Sequence, residues 1–263
     1  MNSVKWTTPQ SAAWDTMRPI RSVRARTSEW PTGTVIVPHS HPWCQLVYAI
    51  GGVTIVETPE GSWVVPPDRA VWVPAGITHC VRAARGGQNR SVYVTVEAAQ
   101  TAGLPKGCKV VAVSPLTREL ILEFGRRPDD YDEDGADGRL VRVLLDQIAA
   151  LPAQPLHLPW PRDPRALAVA RALEADPADG RPLEEWAREA GASARTLARA
   201  FRADCGLTFG QWRLRLRLLG ALERLAAGEA VTAVAFDMGY DQPSAFIAMF
   251  RRLLGTTPGA YFR

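Results

Sequence analysis

Ala187, Gly191, Phe201, Gly206, Thr208 and Trp212 recur 48 or 49 residues later as Ala235, Gly239, Phe250, Gly255, Thr257 and Tyr261. Any fold of the C-terminal part must give both copies the same local structure. In the first copy Leu183, Trp186, Ala187 and Ala190 repeat at helical spacing, and Gly191 supplies a residue able to take positive φ and end the helix. Ser193 is placed to cap a second helix over 194–204, with Leu197, Ala200 and Phe201 inward and Arg195, Ala198, Arg199 and Arg202 outward. In the second copy Val231, Val234, Ala235 and Met238 form the first stripe and Gly239 the turn. Asp241 or Gln242 precedes Pro243, a good first-turn residue; Phe246, Met249 and Phe250 read as core, and Ser244, Ala245, Ile247, Ala248 and Arg251 as exposed. Two helices about a glycine turn, twice over, predict an all-α domain with two helix-turn-helix motifs, each placing its second helix in a major groove of a double-stranded DNA operator. A helical connector over 208–227, close to 30 Å at about 1.5 Å per residue, suits two grooves roughly 34 Å apart on one face of the duplex.

Bulk charge does not carry this reading. Asp163 to Arg263 holds 14 Arg and no Lys against 12 Asp plus Glu, a net of +2 in a chain of net +4. The local pattern is more suggestive: Arg195, Arg199, Arg202, Arg213, Arg215 and Arg217 face a single acid, Asp204, within 195–217. The last three arginines read either as phosphate contacts or as a solvated helix face.

The stretches LEEWAREAGASARTLARAFRADCGLTFGQWRLRLRL and AVAFDMGYDQPSAFIAMFRRLLGTTPGAYFR resemble the DNA-binding domain of the AraC/XylS family of bacterial transcription regulators. The resemblance covers residues 163–263 and implies a seven-helix domain. It matches Arg195, Ala198 and Arg199 to base-contacting positions of the first recognition helix, and Pro243, Ser244, Ile247 and Ala248 to the corresponding part of the second. With their neighbours, the DNA-facing set is Arg195, Thr196, Ala198, Arg199 and Arg202, then Gln242, Pro243, Ser244, Ile247, Ala248 and Arg251. Arg can make bidentate bonds to guanine, whereas Pro, Ala and Ile can only touch a thymine methyl. The first helix is therefore expected to choose the site and the second to position the protein on phosphates.

The N-terminal part changes period. From Thr34 to about Ala112, β-rich runs such as TVIVP, QLVYAI, VTIVET, SWVVP, AVWVP and SVYVTVE are separated by Gly, Pro, Asp or Asn, which predicts a β-barrel or sandwich. Within it lie His39-Ser40-His41-x3-Gln45-x6-Gly52 and Pro74-Ala75-Gly76-Ile77-Thr78-His79. Side chains alternating at period 2 place His39, His41, Trp43 and Gln45 on one strand face and Cys44 on the other. Both segments resemble the cupin motifs, and AraC/XylS regulators commonly carry a cupin-like sensor domain. The resemblance implies that His39, His41, His79 and Gln45 hold a divalent transition metal, Fe, Ni, Zn, Mn or Cu, as neutral imidazoles suit. The alternatives are that they bond an organic ligand without metal or that their role is purely structural. Gln45 stands where cupin enzymes usually place Glu, Asp68 where the second motif usually begins with Gly, and Ala83 where it usually ends with Asn. These departures, with the duplicated helices, weigh against the competing reading of a metal-dependent dioxygenase or isomerase with a helical appendage. Trp43, Trp63 and Trp72 read as core or as pocket lining.

The expected organisation is an α+β, two-domain chain: a cupin-like β-barrel over 1–112, a helical segment over 113–150, a proline-rich linker over 151–162 and the DNA-binding domain over 163–263. Leu116, Leu120, Ile121, Leu140, Val143, Leu144, Ile148 and Leu151 form an amphipathic stripe that packs on the barrel's outer face or joins a homodimer. His157 reads as an exposed linker residue, and Asp163-Pro164 as a helix cap and start. No apolar run approaches membrane-spanning length, the N-terminus lacks a secretion signal, and four cysteines without CxxC pairing suit reduced thiols. The chain is thus expected to be a cytoplasmic, non-enzymatic regulator answering to a small-molecule or metal effector, and meeting RNA polymerase if it activates.

Overall fold

The computed structural model describes residues 6–7 and 21–262. It divides into two compact units, one of Met1–Pro59 with Trp63–His157 and the other of Glu60–Ser62 with Leu158–Arg263.

The first unit carries β1 (Trp6–Thr7), β2 (Val23–Trp30), β3 (Val35–His39), β4 (Cys44–Ile50), β5 (Val53–Thr58), β6 (Gly61–Val65), β7 (Arg69–Val73), β8 (His79–Arg85), β9 (Gly87–Val94) and β10 (Lys109–Ala112). One sheet includes the run β1-β3-β8-β5-β6, and the other has the order β10-β7-β4-β9-β2. The expected barrel is not closed: the two sheets share no strand. Pro38 has no N–H to offer a ladder, the β3–β8 register slips between Ile36 and His39, and the chain bends over 40–43 before β4 joins the other sheet. β2 (VRARTSEW) and β8 (HCVRAAR) escaped the sequence reading, because Arg24, Arg26 and Glu29 in the one and Arg82 and Arg85 in the other break the apolar runs that identify strands.

β4 explains the layering. Its side chains are buried from Cys44 to Ala49, on both faces. Cys44, Leu46 and Tyr48 join Trp72, Val92 and Val94 under the helices α1 (Val96–Thr101), α2 (Pro115–Phe124) and α3 (Ala136–Ala150). Ile121, Phe124, Val141, Leu144, Leu145 and Ile148 are the helical side of that core, each worth about 1.5–3 kcal/mol in buried area. The helical segment's apolar stripe therefore covers the protein's own sheet. The stripe also differs in register from the expectation: α3 starts at Ala136, Val141 and Leu145 are buried, Leu140 is half-buried, and Leu116 and Val143 are exposed. Trp72 belongs to this core and donates Nε1 to Pro105 O at 2.8 Å.

The proline-rich stretch is not a free linker. Ala112 N donates to Pro152 O, Gln154 N to Val110 O, and Val64 N to Leu156 O, all at 2.8–3.1 Å. The first two bonds cover the exposed edge of β10, where unpaired amides would otherwise invite another strand. His157, which opens the short strand β11 (His157–Pro159), is half-buried and stacks on Trp63 with ring centroids 4.2 Å apart.

The second unit has seven helices among its described residues: α4 (Pro164–Ala175), α5 (Leu183–Glu189), α6 (Ala194–Cys205), α7 (Phe209–Ala226), α8 (Val231–Asp237), α9 (Pro243–Leu254) and α10 (Pro258–Tyr261). Gly191 at φ +62° and Gly239 at φ +75° make the turns between α5 and α6 and between α8 and α9. The repeated aromatics do equivalent work: Phe201 packs on Trp212 at 5.4 Å and Phe250 on Tyr261 at 5.6 Å. Asp163 caps α4 by accepting from Arg165 N and Ala166 N, and Asp204 of α6 accepts from Arg162 N and Asp163 N.

Asp163→Ala should destabilise the chain by about 1 kcal/mol in urea titrations at neutral pH. Hydrogen bonding to the Arg165 side chain and to the α4 amides holds the Asp163 carboxyl down at about 2. The cap's contribution should therefore be complete above the unfolded carboxyl's pKa near ~4 and fade as pH falls through about 2. Equal denaturation midpoints for the variant and the parent at pH 7 would contradict this.

Candidate functional site

His39 ends β3 and His79 opens β8, and the two are direct cross-strand partners. Their rings lie 4.4 Å apart, and His41 is 5.8 Å from the first and 5.1 Å from the second. The convergence does not come from strand alternation, since residues 40–43 form a bend. Gly76 N donates to His41 O at 2.9 Å, which ties the bend to the loop before β8. Trp43 contributes its carbonyl to the site while its side chain lies half-buried in the bend.

Each histidine has the same second partner. Nδ1 of His39, His41 and His79 lies 2.9, 2.7 and 2.9 Å from the carbonyls of Val37, Trp43 and Ile77. A carbonyl can only accept, so each Nδ1 carries the proton and each neutral ring keeps its lone pair on Nε2. Burial favours that neutral form: it pushes His79 down to about 4 and is the main cause of the lowered value of His39, with the neighbouring histidines adding to both. The three rings offer ligand atoms within 4.8 Å of one another, the only such His, Cys, Asp or Glu group among the described residues. His79 Nε2 is buried with no hydrogen-bond partner among them.

Gln45 comes from β4, in the other sheet. Its Oε1 lies 3.0 Å from His41 Nε2, and its Nε2 donates to Ser91 Oγ at 2.9 Å and Tyr93 OH at 3.1 Å. Asn89 Nδ2 also donates to Ser91 Oγ, at 3.0 Å. Asn89, Ser91 and Tyr93 alternate along β9, so they share a face and continue the polar row inward from Gln45. Sequence reasoning missed all three. The signal was available: polar residues at period 2, Asn89, Ser91 and Tyr93, interleaved at their C-terminal end with Val92 and Val94. Cys44 faces the helices as expected, and Cys80, whose thiol is raised to about 11 chiefly by burial, lies 3.6 Å from Glu57, away from the histidines.

In the helical unit α6 begins at the Ser193 cap, whose side chain accepts from Thr196 N. Leu197 and Phe201 are buried, Arg195, Ala198, Arg199 and Arg202 are exposed, and Thr196 is half-buried beside the cap. In α9 the exposed positions are Ser244, Ala248 and Arg251, with Gln242 at the N-cap; Pro243 and Ile247 are half-buried. Ser244, Ile247, Ala248 and Arg251 line one open depression together with Arg252 and Thr257. Arg213 and Arg217 are committed elsewhere: Arg213 Nη1 donates to Arg181 O at 2.8 Å and Arg217 Nε to Pro177 O at 2.8 Å. Arg215 is half-buried, and burial lowers its pKa. The internal bonds of Arg213 and Arg217 differ from the solvated face that the sequence offered.

A family model described as a helix-turn-helix domain matches residues 186–263, and one described as an AraC-like ligand binding domain matches residues 25–131. The chain is 35% identical over 223 residues to the HTH-type transcriptional regulator NimR of Escherichia coli, a match covering 85% of this chain and 81% of that protein. It is 37% identical over 122 residues to the HTH-type transcriptional regulator RipA of Corynebacterium glutamicum, covering 46% of this chain and 35% of that one. Among solved structures it is similar to ToxT from Vibrio cholerae, at 11% identity and TM-score 0.38 over 92% of this chain and 98% of that one. It is also similar to the DNA-binding domain of AdpA in complex with a target DNA, at 38% identity and TM-score 0.35 over 38% of this chain and 90% of that one.

Gln45→Leu should lower the stability of the chain by about 1–3 kcal/mol, because it strips buried polar atoms on His41, Ser91 and Tyr93 of a partner. Chemical denaturation followed by circular dichroism measures this, and an unchanged midpoint would show the network to be energetically idle.

Proposed function

Because this chain belongs to the AraC family of HTH-type transcription regulators and carries a ligand-binding domain ahead of its helical one, we propose that α5–α6 and α8–α9 are two DNA-binding units working on one operator. The observation that carries the reading is the equivalence of the two halves: the same glycine turn, the same packed aromatic pair and a second helix with an exposed face in each. α6 presents Arg195 and Arg199, which reach base edges as bidentate donors, with Arg202 and the Thr196 hydroxyl beside them for phosphates. α9 opens with Gln242 and presents Ser244, Ile247, Ala248 and Arg251, a set suited to thymine methyls and backbone. α6 chooses the site, and α9 fixes register.

The sheet-rich unit is the sensor, a cupin-like fold without full closure. His39, His41 and His79 fit a divalent transition metal such as Zn, Fe, Ni, Mn or Cu. Three neutral imidazoles have their second nitrogens fixed by carbonyls, the arrangement that orients and enriches metal-binding histidines. Gln45 supports the same reading. Its Oε1 lies 3.0 Å from His41 Nε2, close enough to join the imidazoles around one ion. A bound ion supplies a Lewis-acidic anchor for a small oxygen- or nitrogen-donor effector. A metal-free reading, in which the histidines and the Gln45 row bond an organic effector directly, draws on the same orphaned His79 Nε2. Effector occupancy acts on transcription only through arrangements it binds unequally. Leu116 and Val143, exposed on α2 and α3, are the apolar surface left for a second copy of the chain.

Arg195→Ala and Arg199→Ala should each weaken binding by about 1–3 kcal/mol to a duplex selected by the wild-type protein from a random pool, read by fluorescence anisotropy. Full affinity in both variants would overturn the role of α6. Wild-type protein purified without chelator should carry roughly one transition-metal ion per chain by elemental analysis, and the His39→Ala/His41→Ala variant almost none. A metal-free wild type would leave only the organic-effector reading.

A further inference from the structure

Arg217 sits on α7 with its guanidinium against the loop that joins α4 to α5. Nε donates to Pro177 O at 2.8 Å, and Nη2 reaches Ala178 O and Asp179 O at 3.4 Å each. The other side of that loop is the turn of the second helix pair. A Cβ built on Gly239 would stand 2.7 Å from Ala178 O and 2.7 Å from Arg217 Nη2, so only glycine permits the approach, and its φ of +75° requires glycine independently. The Arg217 guanidinium lies 5.7 Å from the Tyr240 ring centroid.

The contacts continue to the first helix pair. One turn earlier on α7, Arg213 Nη1 donates to Arg181 O at 2.8 Å. Arg181 in turn pairs with Asp179 at 2.9 Å and Glu189 at 2.6 Å, and stacks over Trp186 of α5 at 3.9 Å. A chain of packed and hydrogen-bonded groups thus runs from the Gly239 turn, through Arg217 and the 177–179 carbonyls, to α5.

We propose that Arg217 is a positioning residue that clasps the two helix pairs at one separation, and so sets the operator spacing this protein accepts. The proposal rests on the reading of α5–α6 and α8–α9 as two DNA-binding units. A planar guanidinium can serve three carbonyls of one loop at once, whereas a lysine ammonium is a point donor on a flexible stem. Two linked binding units gain avidity only when their separation matches that of their sites. A rigid clasp makes that match strict, and a broken one makes it permissive.

The test uses the full chain and a duplex selected by the wild type from a random pool, with one or two base pairs then inserted between the two footprinted segments. Wild-type affinity should fall about tenfold or more on insertion. Arg217→Met should bind the parent duplex about tenfold more weakly, lose much less on insertion, and keep the wild-type slope of log affinity against log salt. Arg217→Lys retains the charge and should behave as the Met variant does, and Gly239→Ala, which presses on the same carbonyl, should share the phenotype. A salt slope reduced by about 1 in Arg217→Met and restored in Arg217→Lys would identify a phosphate contact and overturn the clasp. An unchanged insertion penalty in Arg217→Lys would also overturn it, and that variant decides the matter if Arg217→Met does not fold. A wild type indifferent to insertion would instead sink the two-unit reading itself.

Discussion

The helical unit depends on the burial of α7 along nearly its whole length. α5 and α8 have seven residues each, too short to hold a helix by backbone bonding alone. They persist because Trp212, Leu216, Leu218, Leu219, Leu222 and Leu225 of α7 are buried in the core that both helix pairs share. At about 1.5–3 kcal/mol for each large side chain, this core outweighs the roughly 1 kcal/mol of a cap and the fraction of a kilocalorie of a surface ion pair. Trp212 also fixes the start of the unit, because its Nε1 donates to Pro159 O at 2.7 Å. The same helix then uses Arg213 and Arg217 to tether the entry loop. Packing supplies the stability, and the arginines set where the pieces sit.

The sheet-rich unit solves the opposite problem. A row of buried polar side chains, His41, His79, Gln45, Asn89 and Ser91, is expensive unless every atom is bonded. Most atoms are served by backbone carbonyls or by each other, but His79 Nε2 and Asn89 Oδ1 are not. An apolar interior on the same strands would fold more stably. The cost is offset by the opposite face of β4, β7 and β9, where Tyr48, Trp72 and Val92 pack under α2 and α3. One face of the sheet stabilises the domain, which leaves the other free to be chemically specific.

Periodicity was legible where side chains report their environment directly. Leu197 and Phe201 against Arg195 and Arg199 describe α6 completely, and the Ser193 and Asp163 caps are visible as residue types. It failed where burial is shared unevenly. β2 and β8 are interrupted by charged residues and so mimic surface, and α3 buries Val141 and Leu145 although Leu140 and Val143 form an equally plausible stripe. The proline-rich segment looked like a tether because prolines lack N–H groups, yet its remaining carbonyls and amides are what close the β10 edge.

By itself the sequence determined the helices about Gly191 and Gly239, the β-rich character of the N-terminal part and the identity of three histidines, because each depends on neighbours within a few positions. Only the tertiary structure decided what depends on residues far apart in the chain. It left the sheets unclosed, brought His41 to its partners through a bend rather than along a strand, and added Ser91 and Tyr93 to Gln45. It also turned Arg213 and Arg217 from candidate DNA contacts into internal bonds. An arginine's spacing tells which side of a helix it occupies; whether a carbonyl or solvent waits there is settled by loops packed against it from elsewhere in the chain.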